Sequence, residues 1–181
     1  MKLISNLLLW GGILLLPLNS YAQFTKGLSY QAETGVSFSG GEHTPFWLTA
    51  NKQGLSSIEK NNGYLRAGIF RELENDKRFS YAFGADLAVA YNFTSTFVVQ
   101  QLYADLKYRC LGVSIGSKER HSEFNNPLLS SGGLTFSGNA RPIPQVRIGI
   151  PEYTFVPGTK DWLAFKGHIA YGMFTDDGWQ K

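Results

Sequence analysis

Several groupings of side chains in this sequence have types that do chemistry. Glu119 with Glu123, and Asp176 with Asp177, are carboxylate pairs of the kind that share acid and base work in glycoside hydrolysis. Acids this close together in polar segments are more often simply solvated. His121-Ser122 places a base beside a hydroxyl, but no Gly-x-Ser-x-Gly accompanies it and adjacency in sequence is not triad geometry. His43, His121 and His168 show no metal-ligand spacing, and there is no Cys-x-x-Cys or His-Glu-x-x-His. The chain is therefore read as non-enzymatic, with no cofactor and no metal.

Two other segments carry denser polar chemistry. Gly116 to Gln145 is rich in amides, hydroxyls and Arg, with Gly and Pro to hold irregular backbone. Gly40 to Asn51 is a second polar and aromatic piece. Planar amides, carboxylates and basic groups bind hydroxyls, and an aromatic face packs on a ring. The candidates for such a binding site are Trp47, Lys118, Arg120, Glu123, Asn125, Asn126, Asn139 and Arg141. The competing reading is that the same residues fold the loops, with Asn and Ser capping turns and Arg pairing with Glu.

Elements that position these segments are legible as strands. From Phe79 to Phe93 one face reads Phe79, Tyr81, Phe83, Ala85, Leu87, Val89, Tyr91, Phe93. The other reads Ser80, Ala82, Gly84, Asp86, Ala88, Ala90, Asn92. This is period-two alternation with no helical competitor. Similar alternation marks Tyr30 to Phe38, Gly63 to Leu73, Val98 to Tyr108, Leu111 to Gly116, Pro144 to Ile150 and Trp162 to Phe174. In the Val98 segment, Val98, Leu102, Ala104, Leu106 and Tyr108 are set against Gln101, Tyr103, Asp105 and Lys107. The turn Glu74-Asn75-Asp76-Lys77 joins two of these segments as a hairpin. The pattern predicts an all-β chain of about seven or eight antiparallel strands.

The face chemistry points to a membrane barrel. The Phe83 to Tyr91 stretch has aromatics at its ends and spans roughly 26 Å at about 3.3 Å per residue. Tilted, it approximates the apolar band and aromatic girdles of a transmembrane β-barrel. Arg66, Asp86, Asp105, Lys107, Arg147, Lys166 and His168 all fall on polar faces, which suits a wet lumen. Leu87 and Val89 are expected to face lipid, and Asp86 and Ala88 the lumen. One strand of a soluble sandwich is the rival, but there the second face usually carries bulkier, more charged residues.

Composition agrees with an exported β protein. Charged residues are 17% and aromatics 14% of 181, and the net charge is +3. The low charge and high aromatic content exclude a disordered tail or a coiled coil. The scattered cations exclude a nucleic-acid stripe. Residues 1–22 read as a signal peptide: Lys2, an apolar run from Leu7 to Leu18, and small residues in Ser20-Tyr21-Ala22, with cleavage expected before Gln23. Cys110 is the single cysteine, so no intramolecular disulfide forms. Residues 23–181 are read as the N-terminal portion of a larger barrel, because the chain stops at Gly178-Trp179-Gln180-Lys181 without a closing aromatic strand. A complete eight-stranded barrel is the other reading.

A resemblance adds to this. Lys118-Glu119-Arg120, Phe124-Asn125-Asn126-Pro127, Leu129-Ser130-Ser131-Gly132-Gly133-Leu134-Thr135 and Ser137-Gly138-Asn139-Ala140-Arg141-Pro142-Ile143-Pro144-Gln145 resemble the Wzi family of capsule-assembly proteins, in its Bacteroidetes-type form. His43-Thr44-Pro45-Phe46-Trp47 is similar to that family as well. The resemblance spans about residues 30 to 181. It implies an outer-membrane β-barrel longer than this chain, surrounded by outer-membrane lipid, that binds capsular or surface polysaccharide and helps attach it to the cell. A small outer-membrane enzyme acting on lipid or glycan, and a simple porin or structural barrel, are the alternatives.

Overall fold

Alternation with period two places successive side chains on opposite faces, so each strand of this chain has one apolar and one polar face. In a computed structural model the described residues are 27–74, 77–120 and 138–175. The signal segment, His121, Ser122, Glu123, Asn125, Asn126, Asp176 and Asp177 lie outside them. Seven strands form a single antiparallel sheet: β1 (Leu28–Ser37), β2 (Asn62–Arg71), β3 (Phe79–Tyr91), β4 (Phe97–Tyr108), β5 (Leu111–Ser117), β6 (Gln145–Phe155) and β7 (Ala164–Gly172). They pair in sequence order, each with the next, as a meander. Among the described residues β1 and β7 do not pair, so the sheet has two edges. One short helix, α1 (Phe46–Thr49), lies between β1 and β2.

The two faces are chemically opposite. The cross-strand row Tyr81–Leu106–Val113–Ile148–Ile169 runs over five strands, and Phe83–Ala104–Ile115–Val146–Tyr171 runs beside it. Most of these side chains are exposed, Ile169 by 79%. On the other face Ser80, Ala82, Asp86, Ala88 and Ala90 of β3 are all buried. Among the described residues the buried set holds, besides Gly35 and Gly84, five apolar residues and eight polar or charged ones. A water-soluble sheet buries its apolar face. This one exposes it.

One strand departs from its sequence pattern. The register of β3 against β4 shifts between Asp86 and Leu87: Asp86 faces Gln101, and Leu87 faces Val99. Gln100 is thus an extra residue, and Gln100 and Gln101 are both buried. Beyond the bulge the phase inverts. Val98, expected with Leu102 on the apolar face, instead lies on the polar side and is 1% exposed. There it packs with Ala88 and Leu55, flanked by Tyr64 and Phe93.

β6 has a second irregularity between Ile150 and Thr154 and runs on to Phe155, past the expected end at Ile150. Cys110 is free and exposed in the turn between β4 and β5. Among the described residues no helix is long and apolar enough to cross a membrane.

Candidate functional site

The polar face of the sheet is covered in part by the segment that links β1 to β2. Its base is pinned by Thr44, whose N–H donates to Ile58 O (2.8 Å) and whose hydroxyl donates to Glu59 O (2.8 Å). Asn62 closes the loop by donating to Glu59 O at 2.6 Å. Leu55 is the apolar wedge that presses it onto Ala88 and Val98. Gln100, swung inward by the bulge, donates to Gln53 O at 2.8 Å and so ties the segment to β4. Val36, Leu48, Lys52, Leu55, Tyr64 and Phe93 line an open pocket beneath it. The Tyr64 and Phe93 rings meet edge to face there, 6.1 Å apart.

This segment meets the second polar segment of the sequence. The Gln53 N–H donates to Gly138 O at 2.7 Å, and the Asn51 N–H donates to the Asn139 Oδ1 at 2.8 Å. Gly54 makes the approach possible. Its φ is +73°, and a Cβ there would fall 2.8 Å from the Arg141 backbone nitrogen. A side chain would be both strained and in collision at that position.

The expected site residues are distributed as follows. Trp47 stands exposed on α1 beside exposed Phe46. Asn139 accepts a backbone hydrogen bond through its carbonyl, so part of its chemistry is spent on the loop contact. Arg141 lies next to Gly54 with its side chain exposed. Lys118 pairs with Asp105 (2.5 Å) and sits 4.4 Å from the centre of the Tyr103 ring. Arg120 donates to the Ser114 hydroxyl (2.9 Å) and to Lys118 O (3.2 Å). Asn139 and Arg141 are thus joined to the segment carrying Trp47, while Lys118 and Arg120 lie over β4 and β5.

Residues outside that expected set form the centre of the polar face. Arg66 donates through Nε to Asp86 (2.7 Å), pairs with Glu119 (3.0 Å) and stands 3.8 Å from Glu33. Tyr64 donates its hydroxyl to Glu33 at 2.5 Å. Gln100 donates to Glu119 at 2.9 Å, and the Glu119 N–H donates to the Gln101 side-chain oxygen at 3.0 Å. Glu119 is therefore engaged by a cation and an amide. Strand parity exposed Arg66 and Asp86 as polar-face charges. Nothing local showed that Glu33 and Glu119, 86 residues apart in number, converge on one guanidinium.

Outside the strands, burial and then the neighbouring Arg147 charge hold the Arg120 guanidinium below its ordinary proton affinity. Among the described residues no group of three or more His, Cys, Asp or Glu side chains is arranged to hold a metal. No family model, curated protein or solved structure matches the chain.

Proposed function

We propose that the chain is wall and lumen lining of an outer-membrane β-barrel of the Wzi type, exported through a cleaved signal peptide, that binds capsular polysaccharide and helps attach it to the cell surface without catalysing a reaction. The observation that carries this reading is the inverted sheet. Leu65, Leu87, Val89, Leu102, Leu106, Ile115, Val146, Ile148 and Ile169 are exposed on one side, while Asp86, Gln100, Gln101, Asp105 and Lys107 are buried on the other. Exposed apolar surface on this scale needs a partner, and a lipid belt around a polar lumen is the partner that fits strand alternation. The joined polar segments, with Asn51 held by Asn139 and exposed Trp47 and Arg141 alongside, offer a ring-stacking face and hydroxyl-binding groups on the lumen side.

The test is made in capsulated cells lacking the gene and complemented with the full-length protein. Attached and shed polysaccharide are measured, and barrel assembly is followed by heat-modifiable migration on gels. Loss of the protein is expected to move polysaccharide from cell surface to medium. Unchanged attachment in the deletion strain overturns the capsule role. Ion conductance of the purified protein in planar bilayers, with no effect on capsule, favours a simple porin instead.

A further inference from the structure

On the polar face, charge is not evenly paired. In the half formed by β4 to β7, Lys107 has Glu152 at 2.9 Å and Lys118 has Asp105 at 2.5 Å. Arg120 and Arg147 have no carboxylate within 4.0 Å among the described residues. Their contacts are neutral or basic: Arg120 reaches the Ser114 hydroxyl and Lys118 O, and Arg147 Nη2 lies 2.6 Å from His168 Nε2. The Arg147 Nε is enclosed and has no acceptor among the described residues.

Register brings these groups together. One cross-strand row reads Asp105–Ser114–Arg147–Ala170, so the hydroxyl that Arg120 holds is the direct neighbour of Arg147. The Arg147 charge is near enough to disfavour the charged form of Arg120, after burial itself. Asp105 is the only carboxylate of that row, and its Oδ2 is already taken by Lys118. Two guanidiniums share the one carboxylate of that row, Asp105, with Lys118, and the His168 ring braces Arg147 by accepting through Nε2. Cations in excess over acids are the donor set of an anion site, since forked N–H groups match carboxylate, sulfate and phosphate oxygens.

We infer that Arg120, Arg147 and His168 form a binding site for an anionic oxygen group carried on the glycan, so that the ligand is an acidic polysaccharide bearing carboxylate, sulfate or phosphate substituents. This rests on the polysaccharide reading above and narrows its ligand. The sequence alternation had put Arg147 and His168 on the polar face only as lumen charges.

The experiment uses the purified full-length protein in detergent, with oligogalacturonate as the acidic probe, a neutral maltooligosaccharide of equal length, and inorganic sulfate. Binding is read by calorimetry at two salt concentrations. Oligogalacturonate is expected to bind, to weaken with salt, and to lose at least tenfold in affinity in Arg147→Gln and Arg120→Gln proteins that still show heat-modifiable migration. Arg147→Lys is expected to retain part of the affinity. Equal binding of neutral and acidic sugars, unchanged in the variants, overturns the anion site and leaves the polysaccharide reading standing. Sulfate binding as tightly as oligogalacturonate overturns the glycan assignment and marks a site for free anions. Loss of oligogalacturonate binding in variants whose cells keep their capsule supports the anion site but counts against the capsule role. If the glutamine variants fail to assemble, the Arg147→Lys protein decides: wild-type affinity at both salt concentrations for both sugars overturns the proposal.

Discussion

Arg66 on β2 grips Asp86 on β3 through two guanidinium nitrogens, and Asp86 is completely buried. The two residues are not direct cross-strand partners: Arg66 faces Ala88, and Asp86 faces Gly68. The contact is diagonal, and it is possible because Ala88 and Gly68 leave room for the longer side chains. The same guanidinium holds Glu119 at 3.0 Å, so one cation fastens the end of β5 to the β2–β3 pair. Removing one member of a buried pair leaves the other uncompensated, at a cost of about 3 kcal/mol. Arg66→Gln strands Asp86, Glu119 and Glu33 together and is expected to lower unfolding stability in detergent by about that much. Asp86→Asn, which leaves Arg66 with Glu119 and Glu33, is expected to cost less. Equal denaturant midpoints for wild type and Arg66→Gln would show the polar face too wet for the pair to matter.

Facing is tested by adjacent substitutions on β7. Ile169 is exposed on the apolar side, and Ala170 lies opposite Arg147 on the polar side. Ile169→Glu is expected to reduce assembly into membranes, while Ala170→Glu, placed beside a cation, is tolerated. Leu87→Arg is expected to cost about 2–4 kcal/mol if it faces the bilayer midplane. Folding yield into lipid vesicles is the measurement, and indifference at all three positions would remove the lipid belt. Ala88 is not a suitable polar-side control. It lies on the polar face, packed under Leu55 and against Val98, so an arginine there has nowhere to go.

Strand existence and facing were legible because alternation is a local signal. β3 follows its two alternating faces from Phe79 to Tyr91 without exception. Phe93, expected on the apolar face, lies past the strand end and the left-handed Asn92, and packs on the polar side with Leu55, Ala88 and Val98. What local alternation cannot carry is a change of phase. One extra residue at Gln100 turns Val98 inward, and its neighbours Phe97 and Val99 take the apolar side. Partner choice was equally hidden. Two polar segments stood out by composition, but that Asn51 would meet Asn139 depends on how the sheet coils between them. Asn139 then has a loop-bracing duty as well as any ligand duty, which residue type alone could not divide.

The β2–β3 turn has its own pH signature. A hydrogen bond from Lys77 holds the Glu74 carboxyl below its ordinary value, with Arg71 adding to the effect at 3.0 Å. A depressed folded-state pKa contributes stability above the unfolded-state value, and that contribution disappears as pH falls through the folded one. Both partners are well exposed, so the turn tightens without changing overall stability greatly. Carboxyl NMR titration of Glu74 is expected to show the depression, and Lys77→Ala to raise the value. A titration unaffected by Lys77→Ala would mean the ion pair does not form in solution.

The last prediction separates bracing from binding where the two polar segments meet. Gly54 has a left-handed backbone, and any Cβ would collide with Arg141, so Gly54→Val is expected to push the 43–61 segment away from Gly138 and Asn139. The seven-stranded sheet does not depend on that contact, so heat-modifiable migration is expected to persist while limited proteolysis between residues 43 and 61 becomes faster. Arg141→Ala acts differently. It keeps the backbone that abuts Gly54 and removes only an exposed guanidinium, so segment packing and protease resistance are expected to remain at wild-type levels. Trp47→Ala likewise removes an exposed ring from α1. If Trp47 and Arg141 contact polysaccharide, both variants shed capsule at normal protease resistance, and Gly54→Val sheds it together with increased cleavage. Shedding by Gly54→Val alone would assign the region a bracing role and move the glycan contacts elsewhere on the polar face.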